Sequence, residues 1–306
     1  MNTEAQTPNF PAVQQWQLKG ELHQLLGHNI FVIAEGEPDA PTILLIHGFP
    51  TSSWDWHLIW PSLRQNYRLV CFDMLGFGFS DKPDNRNYSI HLQADITEAL
   101  IDKLGLDEFH VLAHDYGDTV AQELLARQNA GLGSGRWLSA CFLNGGLFPE
   151  THRALMTQKL LLSPIGPLLN RLAGKSKFDS SFSKVFGNKT KPSTEALAEF
   201  WWLINLNSGK HIFHNLITYM NDRIQHRSRW VNALTTASVP LALINGSADP
   251  VSGQHMVSRY KELECRLDYL AELTEIGHYP QVEAAEEVTT LYLKFLLQVK
   301  ADIPAL

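Results

Sequence analysis

Apolar residues come in short runs over the first half of the chain, and each run stops at a polar or glycine-rich turn. Ile30 to Ala34, Thr42 to Ile46 and Tyr67 to Phe72 are such runs, followed by Phe109 to Ala113 and Leu138 to Leu143. Short apolar runs bounded by turns read as buried strands. Between them, residues 90–104 carry Leu92, Ile96, Leu100 and Leu104 on one helical face, with Ser89 as the N-cap. Residues 119–127 read as a second helix. Buried strands that alternate with helices predict an α/β fold with a mostly parallel central sheet, covered by helices on both faces.

From Phe148 to about Leu234 the alternation stops. Pro149, Pro164, Pro167 and Pro192 punctuate a helical or looped segment that contains Phe200-Trp201-Trp202. Strand patterns return over residues 239–246 and 266–271, and residues 288–299 form a closing helix. Residues 1–147 and 235–306 are therefore expected to build one α/β core, with residues 148–234 as a helical cap inserted after a core strand. An insertion there can roof a site at the strand C-terminal ends, where open α/β sheets bind ligands.

Composition acts mainly by exclusion. A length of 306 residues suits one large domain with an insertion. With 25 basic and 32 acidic residues the formal charge is -7, which argues against nucleic acid or an anionic membrane as the main partner. No apolar run approaches the roughly 18 residues that a membrane span needs. Met1 to Gln15 is polar, carries Glu4 and lacks the apolar core of a signal peptide. Cys71, Cys141 and Cys265 are widely spaced, which predicts buried thiols and fits a reducing, cytoplasmic setting. There is no His-Glu-x-x-His, and Gly76-Phe77-Gly78 completes neither common phosphate-binding pattern, so neither metal nor cofactor is expected.

The candidate chemistry centres on Ala113-His114-Asp115-Tyr116-Gly117, directly after an apolar run. A strand-to-helix turn of this kind often carries a nucleophile, with small residues two positions to either side. Here the central residue is Asp115. No Gly-x-Ser-x-Gly occurs at this turn, which disfavours a serine esterase. A carboxylate at a helix N-terminus stays ionised and needs no base to activate it. It can attack an sp3 carbon and form an alkyl-enzyme ester. Asp249 follows a strand in Gly246-Ser247-Ala248-Asp249-Pro250, and His278 lies in Gly277-His278-Tyr279. Nucleophile, acid, histidine is the order of the nucleophile-elbow hydrolases. In such a triad His278, oriented by Asp249, activates water against the ester. The backbone N–H groups of Phe49, in Gly48-Phe49-Pro50, and of Tyr116 would form the oxyanion hole. Each residue alone has a plainer reading: a structural loop histidine, a turn-forming Asp-Pro, an ordinary Gly-Pro turn. Their common placement at strand ends, in this order, is what singles them out.

The sequence resembles the α/β-hydrolase family of epoxide hydrolases and haloalkane dehalogenases, from His47-Gly48-Phe49-Pro50 through Gly76-Phe77-Gly78-Phe79-Ser80-Asp81-Lys82-Pro83 to His278. Within it, His114-Asp115-Tyr116-Gly117-Asp118 and Phe148-Pro149-Glu150-Thr151-His152-Arg153 most resemble the mesoderm-specific transcript subgroup. The resemblance implies the fold, the cap and an aspartate nucleophile acting on a small neutral electrophile with water.

The two branches help the leaving group differently. Epoxide hydrolases typically present two cap tyrosines; here Tyr219 is one candidate, and Val231 follows Trp230 where a second is common. Haloalkane dehalogenases hold the halide with two N–H donors, for which Trp201, Trp202 and Trp230 are candidates. Packing is the plainer reading of all four. Tyr116 replaces the usual tryptophan after the nucleophile, and His47-Gly48-Phe49-Pro50 is closer to the epoxide branch, which is the expected function. Carbon–halogen hydrolysis is the alternative, and a non-catalytic or lipid-related binding protein on the same fold is a second. Asp118 departs from the small residue usual after the elbow glycine, and His114 is either a supporting or a packing residue.

Overall fold

A computed structural model describes residues 10–84, 87–153, 156–163, 165–172 and 174–302. Met1 to Asn9 of the polar N-terminal stretch, and Pro164, lie outside the described residues. Eight strands form one sheet: β1 (Glu21–Leu25), β2 (His28–Glu35), β3 (Thr42–Ile46), β4 (Arg68–Phe72), β5 (Glu108–His114), β6 (Arg136–Leu143), β7 (Leu241–Gly246) and β8 (Tyr269–Leu273). Their order is β1-β2-β4-β3-β5-β6-β7-β8. The β1–β2 and β2–β4 pairs are antiparallel, and all pairs from β4 to β8 are parallel.

The apolar runs become the central strands because both faces of the sheet are covered. Every residue of β3 and β7 is buried. The helix Ile90–Leu104 begins where expected, with the Ser89 hydroxyl accepting from Leu92 N–H at 3.1 Å, and it stops at Gly105 in the left-handed region. All three cysteines are buried and free.

Three elements differ from expectation. β1 was missed because it is a largely exposed edge strand without an apolar run, joined to β2 through Leu26-Gly27, both at positive φ. β8 begins later than residue 266, because Arg266 N–H donates to the Leu234 carbonyl and the Asp268 carboxylate accepts from Leu241 N–H. The helix expected at residues 119–127 is longer, Tyr116–Asn129, and starts directly after Asp115.

β3 and β5 are neighbours, yet the chain leaves β3 towards β4 on one side and β5 towards β6 on the other. Their C-terminal ends therefore flank a topological switch point, and Phe49 and Asp115 follow those ends. Between β6 and β7 the described residues form helices and turns without a strand. The last of these helices, Arg227–Thr235, packs on Tyr116–Asn129. Among the described residues, no helix is long and apolar enough to cross a membrane.

Candidate active site

The turn after β5 puts Asp115 at φ 48°, ψ -104°. A non-glycine residue at positive φ costs about 1–3 kcal/mol and persists only where its surroundings hold it. The helix behind it lies so close to β3 that a Cβ at Gly117 would stand 2.3 Å from the Ile46 carbonyl oxygen. Only glycine fits there, and this close approach aims the Asp115 carboxylate at the switch point.

Two sequence-predicted residues meet at the carboxylate, and a third holds one of them from behind. The backbone N–H of Phe49 donates to Asp115 Oδ2 at 3.1 Å. His278 Nε2 lies 3.7 Å from Asp115 Oδ1. His278 Nδ1 donates to Asp249 Oδ2 at 2.7 Å. Asp249 is held in turn by the N–H groups of Val251 (2.7 Å) and Ser252 (3.1 Å), the Ser252 hydroxyl (2.8 Å) and the Asn144 amide (3.0 Å). Four donors besides His278 favour its ionised form. Tyr116 opens the helix after Asp115 with its ring buried.

The electrostatics follow from this packing. Burial alone would raise the Asp115 pKa, but His278 and the Arg223 guanidinium outweigh it and hold the carboxyl below the ordinary range. Burial pushes His278 down, and the Asp249 and Asp115 carboxylates reverse this, holding the imidazole well above its ordinary value. His114 is kept neutral by burial, with its pKa lowered to about 3. Its Nε2–H donates to the His278 carbonyl at 2.7 Å and so fixes the loop that carries His278. Asp118 is fully buried, and neither oxygen has a donor in hydrogen-bond geometry. Burial and then the Asp115 charge push its pKa well up, which favours the neutral acid.

Asp115 and His278 open onto a cavity of about 170 Å³. Phe49 and Tyr279 line it from core loops, and Phe178, Phe182, Trp201 and Phe213 line it from the helical segment. An apolar chamber with a few convergent polar groups is the usual form of a small-molecule site. Among the described residues, no group of three or more His, Cys, Asp or Glu is arranged to hold a metal ion.

The leaving-group candidates separate. Trp201 lines the cavity. Trp202 instead packs against Phe10 and Phe79. Trp230 is committed elsewhere: its Nε1 donates to Glu123 at 2.8 Å, and its ring lies against His91 and His226. Tyr219 is fully buried and does not line the cavity, but its ring packs on Tyr116 and Phe49, the residues that flank Asp115. Its hydroxyl has no partner in hydrogen-bond geometry, with the Arg223 guanidinium stacked over the ring at 4.5 Å.

Sequence reasoning missed Asn144, Ser252 and Arg223. Asn144 directly follows β6, at the same sheet edge as the other functional residues. Arg223 follows Tyr219 by one helical turn, a spacing that puts both on one face. Those placements were the available signals.

The chain belongs to the alpha/beta hydrolase fold family, which it matches over residues 41–285. It is 41% identical over 300 residues to the mesoderm-specific transcript homolog protein of Bos taurus, covering 94% of this chain and 88% of that protein. LipZ of Mycobacterium tuberculosis, named as a hydrolase, is 35% identical over 287 residues, covering 94% and 99%. The haloalkane dehalogenase DbeA-M1 loop variant from Bradyrhizobium elkanii shares the fold with a TM-score of 0.78 at 21% identity, over 92% of this chain and 97% of that one.

Proposed function

We propose that this α/β-hydrolase uses Asp115 as a nucleophile and opens epoxides through an alkyl-enzyme ester. The observation that carries the proposal is the placement of the Asp115 carboxylate. Asp115 lines the cavity, with Oδ2 held by the Phe49 amide and Oδ1 facing His278.

At rest Asp115 is a carboxylate and His278 an imidazolium between two carboxylates. Oδ1 forms a bond to the epoxide carbon as the carbon–oxygen bond of the ring breaks. The alkoxide takes the proton from His278 Nε2, with the Tyr219 hydroxyl as the candidate hydrogen-bond donor beside the site. Esterification removes one of the charges that raised the His278 pKa, and the neutral imidazole can then act as a base. Water attacks Cγ of Asp115, and the Phe49 amide, with that of Tyr116, receives the developing oxyanion. One water proton ends on Nε2 and the other on the departing diol, which restores the resting state.

A halide would need two N–H donors. Trp201 supports that second reading, since it is the candidate tryptophan that lines the cavity. Single-turnover reaction in ¹⁸O-water tests the nucleophile. The proposal expects ¹⁸O in the Asp115 carboxylate and unlabelled oxygen in the first product. Direct attack by water would instead label the product and leave Asp115 unlabelled. Running epoxides beside haloalkanes separates the two leaving groups.

A further inference from the structure

One buried charge at the site has no part in this chemistry so far. Arg223 is 2% exposed, on the helix Tyr219–Gln225. Its Nη2 lies 3.8 Å from Asp115 Oδ1 and donates to the Asp115 carbonyl at 3.2 Å. Nε donates to Thr119 Oγ1 at 2.8 Å, and Nη1 faces His152 Nδ1 at 3.3 Å. A Cβ at Gly146 would stand 2.3 Å from Nη1, and one at Gly145 would stand 2.0 Å from the Asp118 carboxylate. The glycine pair after Asn144 is the space that admits both side chains behind the nucleophile. Arg223 and His278 thus approach the same oxygen, Oδ1 of Asp115, from 3.8 and 3.7 Å.

We propose that Arg223 is a positioning residue whose fixed charge makes His278 give up its proton once Asp115 is esterified. The proposal rests on the aspartate-nucleophile reading.

The charge count gives the reason. The titratable groups around His278 come from several elements. Burial raises the pKa of Asp55 and of Asp118 well above the ordinary carboxylate value, which favours their neutral forms. His114 and His152 are held neutral by burial, both at about 3. Burial likewise keeps the Tyr279 phenol neutral. Nearest His278 the charged set is Asp115, Asp249, His278 and Arg223, which sums to zero with His278 protonated, while the buried Asp73 carboxylate acts on Asp55 and His47. When Oδ1 has bonded to the substrate carbon and the alkoxide has taken the Nε2 proton, Asp249 and Arg223 remain and again sum to zero. Without Arg223, the balanced ester-bearing site is Asp249 with a protonated His278. The base would then hold its proton and could not accept one from water.

Asp115→Asn stands in for the esterified aspartate, being uncharged and nearly the same shape, and it needs no substrate. The His278 imidazole is titrated by NMR in Asp115→Asn alone and combined with Arg223→Met, Arg223→Gln or Arg223→Lys. The expected result is a His278 pKa about 1–2 units higher with Met or Gln than in Asp115→Asn alone. With Lys it should stay close to the Asp115→Asn value. If the Met variant fails to fold, Gln, which keeps a hydrogen-bond donor, carries the measurement. A Gln variant that leaves the titration in place, or a Lys variant that moves as far as Gln, overturns the role of Arg223. The nucleophile reading fails separately, through the absence of any covalent adduct at Asp115, and takes the catalytic use of this charge with it.

Discussion

His278 Nε2 stands 3.7 Å from Asp115 Oδ1, beyond a direct hydrogen bond, while its Nδ1 holds Asp249 at 2.7 Å. A serine nucleophile would need the histidine to take its proton, and the pair would have to touch. Asp115 is already ionised. In the proposed mechanism His278 is instead the base that serves the water attacking Cγ. The gap thus fits the two-step reading.

Asp249→Asn removes the acceptor that orients His278 and stabilises its charged form. Decay of the alkyl-enzyme should slow by about 10²–10⁴-fold, as when the acid of a serine triad is neutralised. Formation of the adduct should suffer less. Rapid-quench mass measurement of the Asp115 peptide separates the two steps. Equal slowing of both would contradict the assignment.

Tyr219→Phe keeps the ring that packs on Tyr116 and Phe49 and removes only a hydroxyl without a hydrogen-bond partner. Thermal stability should stay within about 0.5 kcal/mol. Ester formation from an epoxide should slow by about 10²-fold. An unchanged rate would make Tyr219 a packing residue.

Glu123 accepts from Arg229, Trp230 and Arg127. Burial opposes ionisation, but these three partners lower the pKa from 4.5 to about 2. The folded pKa is depressed, so the unfolded chain binds this proton first as pH falls. The stabilisation is full above 4.5 and is lost as pH drops through about 2. Glu123→Gln should cost about 2 kcal/mol at neutral pH. Its deficit against the wild type should shrink below pH 4.5 in denaturant titrations. A constant deficit across that window would show that shape, not charge, is at stake. Trp230→Phe should lose about 1 kcal/mol of stability and leave adduct formation intact.

The core strands were legible because a strand buried on both faces has to be apolar throughout, as β3 and β7 are. That Asp115, Asp249, His278 and Phe49 come together could be read because each follows a strand. β1 could not, since an exposed edge strand carries no apolar run. Trp230 misled for a different reason. An indole N–H takes whichever acceptor the fold brings, and here that is Glu123 on a helix whose packing one sequence does not reveal. Arg223 was hidden in the same way: its helix lies far along the chain from Asp115, and only tertiary packing joins them.

The most direct test uses His278→Gln, in which water has to supply the alkoxide's proton in place of His278, so that the ester should form more slowly and then fail to hydrolyse. The variant is incubated with epoxides and haloalkanes, and the peptide that contains Asp115 is weighed. The account predicts a gain equal to the whole epoxide. A gain equal to the haloalkane less hydrogen halide would move the protein to the carbon–halogen reading. A folded variant that gains no mass from any compound would contradict the aspartate nucleophile.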